Sequence, residues 1–157
     1  MWALVHQQLY NAGEAMLTGD KELAYKVISR ERRVNAFELK IDSDCEDIIA
    51  LYAPVAIDLR FVLAMYKINT NLERLGDFAE SIARFAGNLP EGEPIDPQLV
   101  KETRVEEMLS ELLSMISLTK EAFEKESSEI ASRIFLKDNL IDEINHNSTA
   151  IIAKYIE

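Results

Sequence analysis

Two rows of oxygen-bearing side chains have the types and spacing to do chemistry. Glu31, Asn35, Glu38 and Asp42 follow one another at helical intervals, and Asn69, Glu73, Asp77 and Glu80 repeat the pattern. Such intervals put each row on one face of a helix, where like charges repel by a few tenths of a kcal/mol per pair. Carboxylates and amides gathered this way suit a hard cation such as magnesium, manganese, calcium or ferric iron. Zinc more naturally recruits thiolate or imidazole, although it accepts carboxylates. The spacing leaves a second reading open: a solvated face paired with Arg30, Arg33 and Arg74.

Other constellations carry less. Glu143 and His146 form a Glu-x-x-His pair of the kind found in di-iron bundles, but such sites need two pairs. The other histidine, His6, has no glutamate three residues before it. No glycine-rich phosphate loop is present and Cys45 has no evident base, so a hydrolase or kinase reading has nothing to rest on. The formal charge of −11 disfavours nucleic acid and anionic lipid, and the basic cluster 30-RERR-33 has no basic surroundings. A single cysteine points to the reducing cytoplasm. Neither a signal peptide nor a membrane-spanning stretch is expected, so no direct membrane insertion.

The elements that must hold these rows are helices. Glycine and proline are scarce (5 and 4), which argues for an all-α chain. Trp2, Val5, Leu9, Ala12 and Met16 step at helical intervals along a first helix, and Thr18-Gly19-Asp20 reads as a stop and a new N-cap. A second helix, from about residue 21 to 52, carries Leu23, Val27, Val34, Phe37, Ile41, Cys45, Ile48 and Tyr52 inward. Ala53-Pro54 ends it, and Pro54 suits the first turn of a third helix. There Phe61, Met65, Ile68, Leu72, Leu75, Ala79, Ile82 and Ala86 form the inner stripe, and Gly87 is expected to end it.

The loop-like segment 87-GNLPEGEPIDP-97 separates two units, 1–87 and 98–157, with 88–97 as linker. A fourth helix is expected to run to about Glu126, with Val105, Leu109, Leu112, Ile116, Thr119 and Phe123 inside. Ser127 or Ser128 caps a fifth, whose stripe is Ile130, Ile134, Ile141, Ile144, Ser148, Ile151 and Tyr155. Apolar residues still arrive on schedule in 149-TAIIAKYIE-157, which predicts self-association. The string 31-ERRVNAFE-38 also matches 138-DNLIDEIN-145 by residue type, suggesting that the two units are related.

One stretch joins these threads. In 72-LERLGDFAESIARF-85, Gly76 interrupts a helix beside Glu73 and Asp77, at a cost of about 1 kcal/mol relative to alanine. A missing side chain there lets a neighbouring helix or a bound ion come close. Together with 54-PVAIDLR-60 and the upstream 34-VNAFELKID-42, the stretch 72-LERLGD-77 resembles the PhoU family of regulators associated with phosphate transport. The resemblance is strongest over 23–86 and weaker over 98–157.

The resemblance implies a fold of tandem three-helix bundles. With about five helices expected, the second bundle is incomplete: the chain looks shortened at its N-terminus and truncated before a sixth helix. It implies Glu/Asp-x-x-x-Asp motifs that bind iron clusters, zinc or other divalent metals such as magnesium or manganese. Glu73 and Asp77 match that motif in full, Glu31 and Asn35 match with asparagine in the last place, and Asp138 and Asp142 match in the second unit. Glu38 joins the first group through its row. Arg74 is left as a structural counter-charge.

In function, the resemblance implies a cytoplasmic, non-enzymatic adaptor in phosphate uptake and phosphate homeostasis. It would contact the phosphate transporter ATPase and a sensor histidine kinase to repress the phosphate-starvation response, as a homodimer or higher oligomer. Two other readings stand beside it. One is a metal-binding or metal-storing helical bundle, and the other a purely structural oligomerisation module with solvated acidic faces.

Overall fold

The computed structural model describes residues 1–90 and 95–156, so residues 91–94 of the expected linker and the final Glu157 lie outside the described residues. The order is α1 (Trp2–Thr18), α2 (Lys21–Tyr52), α3 (Ala56–Asn88), α4 (Pro97–Thr103), α5 (Val105–Glu124) and α6 (Ser128–Ile156). No strand occurs among the described residues. The protein is all-α, as its composition requires.

The first turn forms where the sequence says it should. Gly19 takes up φ 72°, a left-handed conformation that a side chain disfavours. Asp20 then accepts a hydrogen bond from the Leu23 amide at 2.8 Å, capping α2. The second turn departs from expectation. Tyr52 does end α2, but α3 starts at Ala56 rather than at Pro54, because Val55 is extended (φ −125°, ψ 160°) and serves as its N-cap. Pro54 therefore lies in the connection, flanked by Ala53 and Ala56 at φ 44° and 49°.

Small residues let the first three helices lie close. Val5, Leu9, Ala12 and Ala15 of α1 bury against Ala24, Val27 and Val34 of α2 and Leu72, Ala79, Ala83 and Ala86 of α3. Buried Gln8 donates from Nε2 to the Val27 carbonyl at 2.7 Å, pinning α1 to α2. By rise per residue, α1 covers about 26 Å of an α2–α3 hairpin that extends for nearly twice that length.

Among the described residues the outer half of the hairpin consequently has little over it beyond the contact of Phe61 with Phe123 of α5. Phe37, Ile48, Tyr52 and Phe61, all on the expected inner stripes, are 40%, 40%, 76% and 56% exposed. Their period is right, but two helices alone cannot cover both faces of the seam they share.

The expected fourth helix is two helices. Arg104 adopts φ 54° between α4 and α5 and breaks the chain's course there. Thr103 turns its hydroxyl back onto the Leu99 carbonyl at 2.7 Å, while the Arg104 guanidinium grips Glu107 at 2.7 Å and Glu143 of α6 at 3.3 Å. Ser127 rather than Ser128 caps α6, accepting from the Ile130 amide.

The two parts of the chain meet along α1 and α5. The Trp2 indole donates to the Ile116 carbonyl at 3.2 Å, and its ring lies 6.1 Å from Phe123, which in turn stacks on Phe61 at 5.8 Å. α6 packs on α5 and α4, with Lys137 bonded to Glu111 at 2.5 Å. Of its expected stripe only Ile144 is buried. Ile130, Ile134, Ile141, Ser148 and Ile151 are half-buried, and Tyr155 is exposed.

Candidate functional site

The α2 and α3 rows come together. These helices run antiparallel, and Asn69 is the clearest junction: its Nδ2 donates to the Glu38 carbonyl at 2.9 Å and to Asp42 Oδ1 at 2.7 Å. Asn69 is 2% exposed and its Oδ1 finds no partner among the described residues. The Oδ1 of half-buried Asn35 is likewise buried and unpartnered, while its amide supports Glu31. Two oxygens therefore stand desolvated beside a row of carboxylates, a costly arrangement for groups that normally find donors.

Electrostatics tie the same residues together. The Glu73 carboxyl is pushed up from its ordinary pKa, first by desolvation and then by Asp77, Glu38 and Glu31. Glu31 is pushed up by desolvation, by Glu80 and by Asp77, with Asn35 and Arg84 pulling it down. So Glu31, Asn35, Glu38, Glu73 and Asp77 feel one another across the helix pair.

Arg74 is not the counter-charge. It is exposed and makes no ion pair among the described residues, while Arg84 pairs with Glu80 at 2.6 Å in the favoured acid-before-base i,i+4 order.

Gly76 explains how the rows approach. A Cβ built there would stand 2.8 Å from Val34 Cγ1, so the space beside Glu73 and Asp77 is taken by the neighbouring helix. Valine is stiff in a helix and cannot easily turn away. Gly76→Ala gains about 1 kcal/mol of helix propensity but meets an overpacking cost of about 1–3 kcal/mol. A net loss of about 1 kcal/mol is expected in urea unfolding. Gly87→Ala, with nothing within 4 Å of the added carbon, is expected to move the midpoint the other way.

The raised carboxyls carry a pH signature. A carboxyl whose folded pKa lies above its unfolded one favours folding most below the unfolded value, and that contribution is lost as pH rises through the folded value. Glu73→Gln is therefore expected to stabilise the metal-free protein by a few tenths of a kcal/mol at pH 7. Thermal unfolding near pH 4 should show the gain gone.

As a cation site the face has the right donors but not a closed shell. All its donors are oxygen, two of them orphaned amide oxygens, which fits a hard cation. Yet no three His, Cys, Asp or Glu side chains among the described residues converge enough to hold a metal ion as they stand. Asp138 and Asp142 are exposed on α6, whose main neighbours are α4 and α5. Asn69 and Asp42 were visible only as members of their rows. Their pairing across the helices depends on register, which no single helix encodes.

Comparison with known proteins follows the same outline. The family model described as "PhoU domain" matches residues 1–86. The phosphate-specific transport system accessory protein PhoU homolog of Aquifex aeolicus is 34% identical, over 99% of this chain and 69% of its own length. The accessory protein PhoU of Escherichia coli is 35% identical, over 91% of this chain and 58% of its own. The crystal structure of PhoU from Pseudomonas aeruginosa superposes with a TM-score of 0.91 at 29% identity, covering 99% of this chain and 73% of that one. The chain thus spans between 58% and 69% of the length of these two curated relatives.

Proposed function

The chain belongs to the PhoU family, and on that footing we propose that it is an accessory protein of phosphate transport, a non-enzymatic adaptor in the cytoplasm. It restrains the phosphate-starvation response by contacting the transporter ATPase and a sensor histidine kinase. The observation that carries this reading is the superposition on a solved PhoU structure along nearly the whole chain. Its relatives bear the name of a transport accessory protein rather than of an enzyme. No helix among the described residues is long and apolar enough to cross a membrane, so contact with a transporter runs through protein surfaces.

The oxygen-rich face between α2 and α3 supplies a second layer. A hard cation held by Glu31, Asn35, Glu38, Glu73 and Asp77 would relieve the repulsion that raises Glu31 and Glu73. Magnesium, manganese and iron suit these donors better than zinc. Asp138 and Asp142 would make at most a partial second site.

Two measurements test the adaptor reading. Deleting the gene should raise a phosphate-starvation reporter in phosphate-replete cells, and the purified chain should retain the transporter ATPase on a column. An unchanged reporter together with no retained ATPase or kinase would overturn it.

A further inference from the structure

Where α1, α3 and α5 meet there is a pocket of about 280 Å³. Trp2, Met65, Ile68, Leu72 and Phe123 make its walls, and Asn69 is the one buried polar side chain that lines it. The exposed ion pair of Lys120 with Glu124 stands at its edge. A cavity of roughly 150 Å³ already admits benzene, so this space holds a ring with a substituent or two. Trp2 and Phe123 offer aromatic surfaces and Met65 a polarisable thioether, which favour a flat ring over a flexible chain.

Asn69 sets what that ring must carry. Its Nδ2 donates to the Glu38 carbonyl at 2.9 Å and to Asp42 Oδ1 at 2.7 Å. Turning the amide over would set its oxygen against a carbonyl and a carboxylate, so its orientation is fixed. Oδ1 is left without a donor among the described residues, in a residue 2% exposed. A lone water is a poor answer, because a buried water usually makes about three hydrogen bonds and the buried walls offer it this one oxygen. A cation in the pocket would meet a single amide as ligand and the Lys120 ammonium at the edge, whereas a neutral donor needs no more than that oxygen. Met65 lies one helical turn before Asn69 and is half-buried and unbranched, so it is the wall that yields to let a ligand reach Oδ1.

We propose that this pocket binds a small aromatic molecule carrying a hydrogen-bond donor, of the size of a phenol or an indole. Its ring lies against Trp2 and Phe123 and its donor on Asn69 Oδ1. Such an occupant touches α1, α3 and α5 at once and so fastens α5 to the α2–α3 hairpin.

Phenol and its methyl ether, anisole, test this, because only phenol has the donor. Amide NMR on the isotope-labelled chain follows the Trp2 indole N–H and the Asn69 side-chain amide while each compound is added up to about 10 mM. Phenol should saturate and move both signals, with a Kd at least about tenfold below that of anisole. Asn69→Leu should bind the two compounds equally, with helical circular dichroism to show that it is folded. If that variant does not fold, the comparison of phenol with anisole on the wild type decides alone. No saturation by phenol, equal wild-type affinity for the two compounds, or shifts confined to residues outside the pocket would each overturn the proposal.

Discussion

Ile144→Ala is expected to lower the unfolding free energy by about 2–5 kcal/mol, the range for removing a fully buried aliphatic side chain. Ile144 is 1% exposed, and it is the only buried residue of the 29-residue α6. Ile130, Ile134, Ile141 and Ile151 of this helix are only half-buried, and its ion pairs to the neighbouring helices are Lys137 to Glu111 and Glu143 to Arg104. Both of these pairs are partly exposed and contribute little by themselves. The truncation should thus release α6 before the rest of the chain. Amide exchange should accelerate along 128–156 while α1–α3 stay protected, and a uniform acceleration across all helices would contradict this anchoring role.

Adding magnesium or manganese to metal-free protein at about a hundred times its Kd is expected to stabilise it by about 2.7 kcal/mol. For a chain of this length that corresponds to a rise in Tm of roughly 5–10 °C. Glu73→Gln combined with Asp77→Asn should abolish the rise, although the double variant should start from a higher metal-free Tm because two repelling charges are gone. Asp138→Asn with Asp142→Asn should leave the rise unchanged, because those carboxylates are exposed on α6, whose main neighbours are α4 and α5. If neither ion nor ferric iron shifts the melting curve, the cation reading falls while the adaptor reading stands. The opposite outcome of the reporter and column tests separates the two in the other direction.

The residues made some of this legible and hid the rest for physical reasons. Periodicity places α1 and α2 to within a residue because both are bounded by local signals, Gly19-Asp20 on one side and Ala53-Pro54 on the other. The apolar period says which face of Tyr52 or Phe61 is greasy, but not whether another helix reaches it. Coverage depends on the relative lengths of α1, α2 and α3. No glycine or proline marks the break at Arg104, so residue types alone do not reveal it. It is held by Thr103 bonding backwards and by a guanidinium shared between Glu107 and Glu143, and the last of these is distant in sequence. In the site, spacing identified the two rows, and Gly76 hinted at close approach. That Val34 fills the gap, and that Arg84 rather than Arg74 supplies the positive charge, follows only from how α2 and α3 are set against each other.

The placement of Trp2 has a practical consequence. It is the chain's single tryptophan, it ties α1 to α5 through Ile116 and Phe123, and it lines the open apolar groove between α3 and α5. Its emission is therefore a built-in optical probe. Loss of the seam between α1 and α5 exposes the indole to water and shifts its fluorescence to the red. Whatever enters the groove should shift it to the blue, so one spectrum distinguishes an opened molecule from an occupied one without any added label.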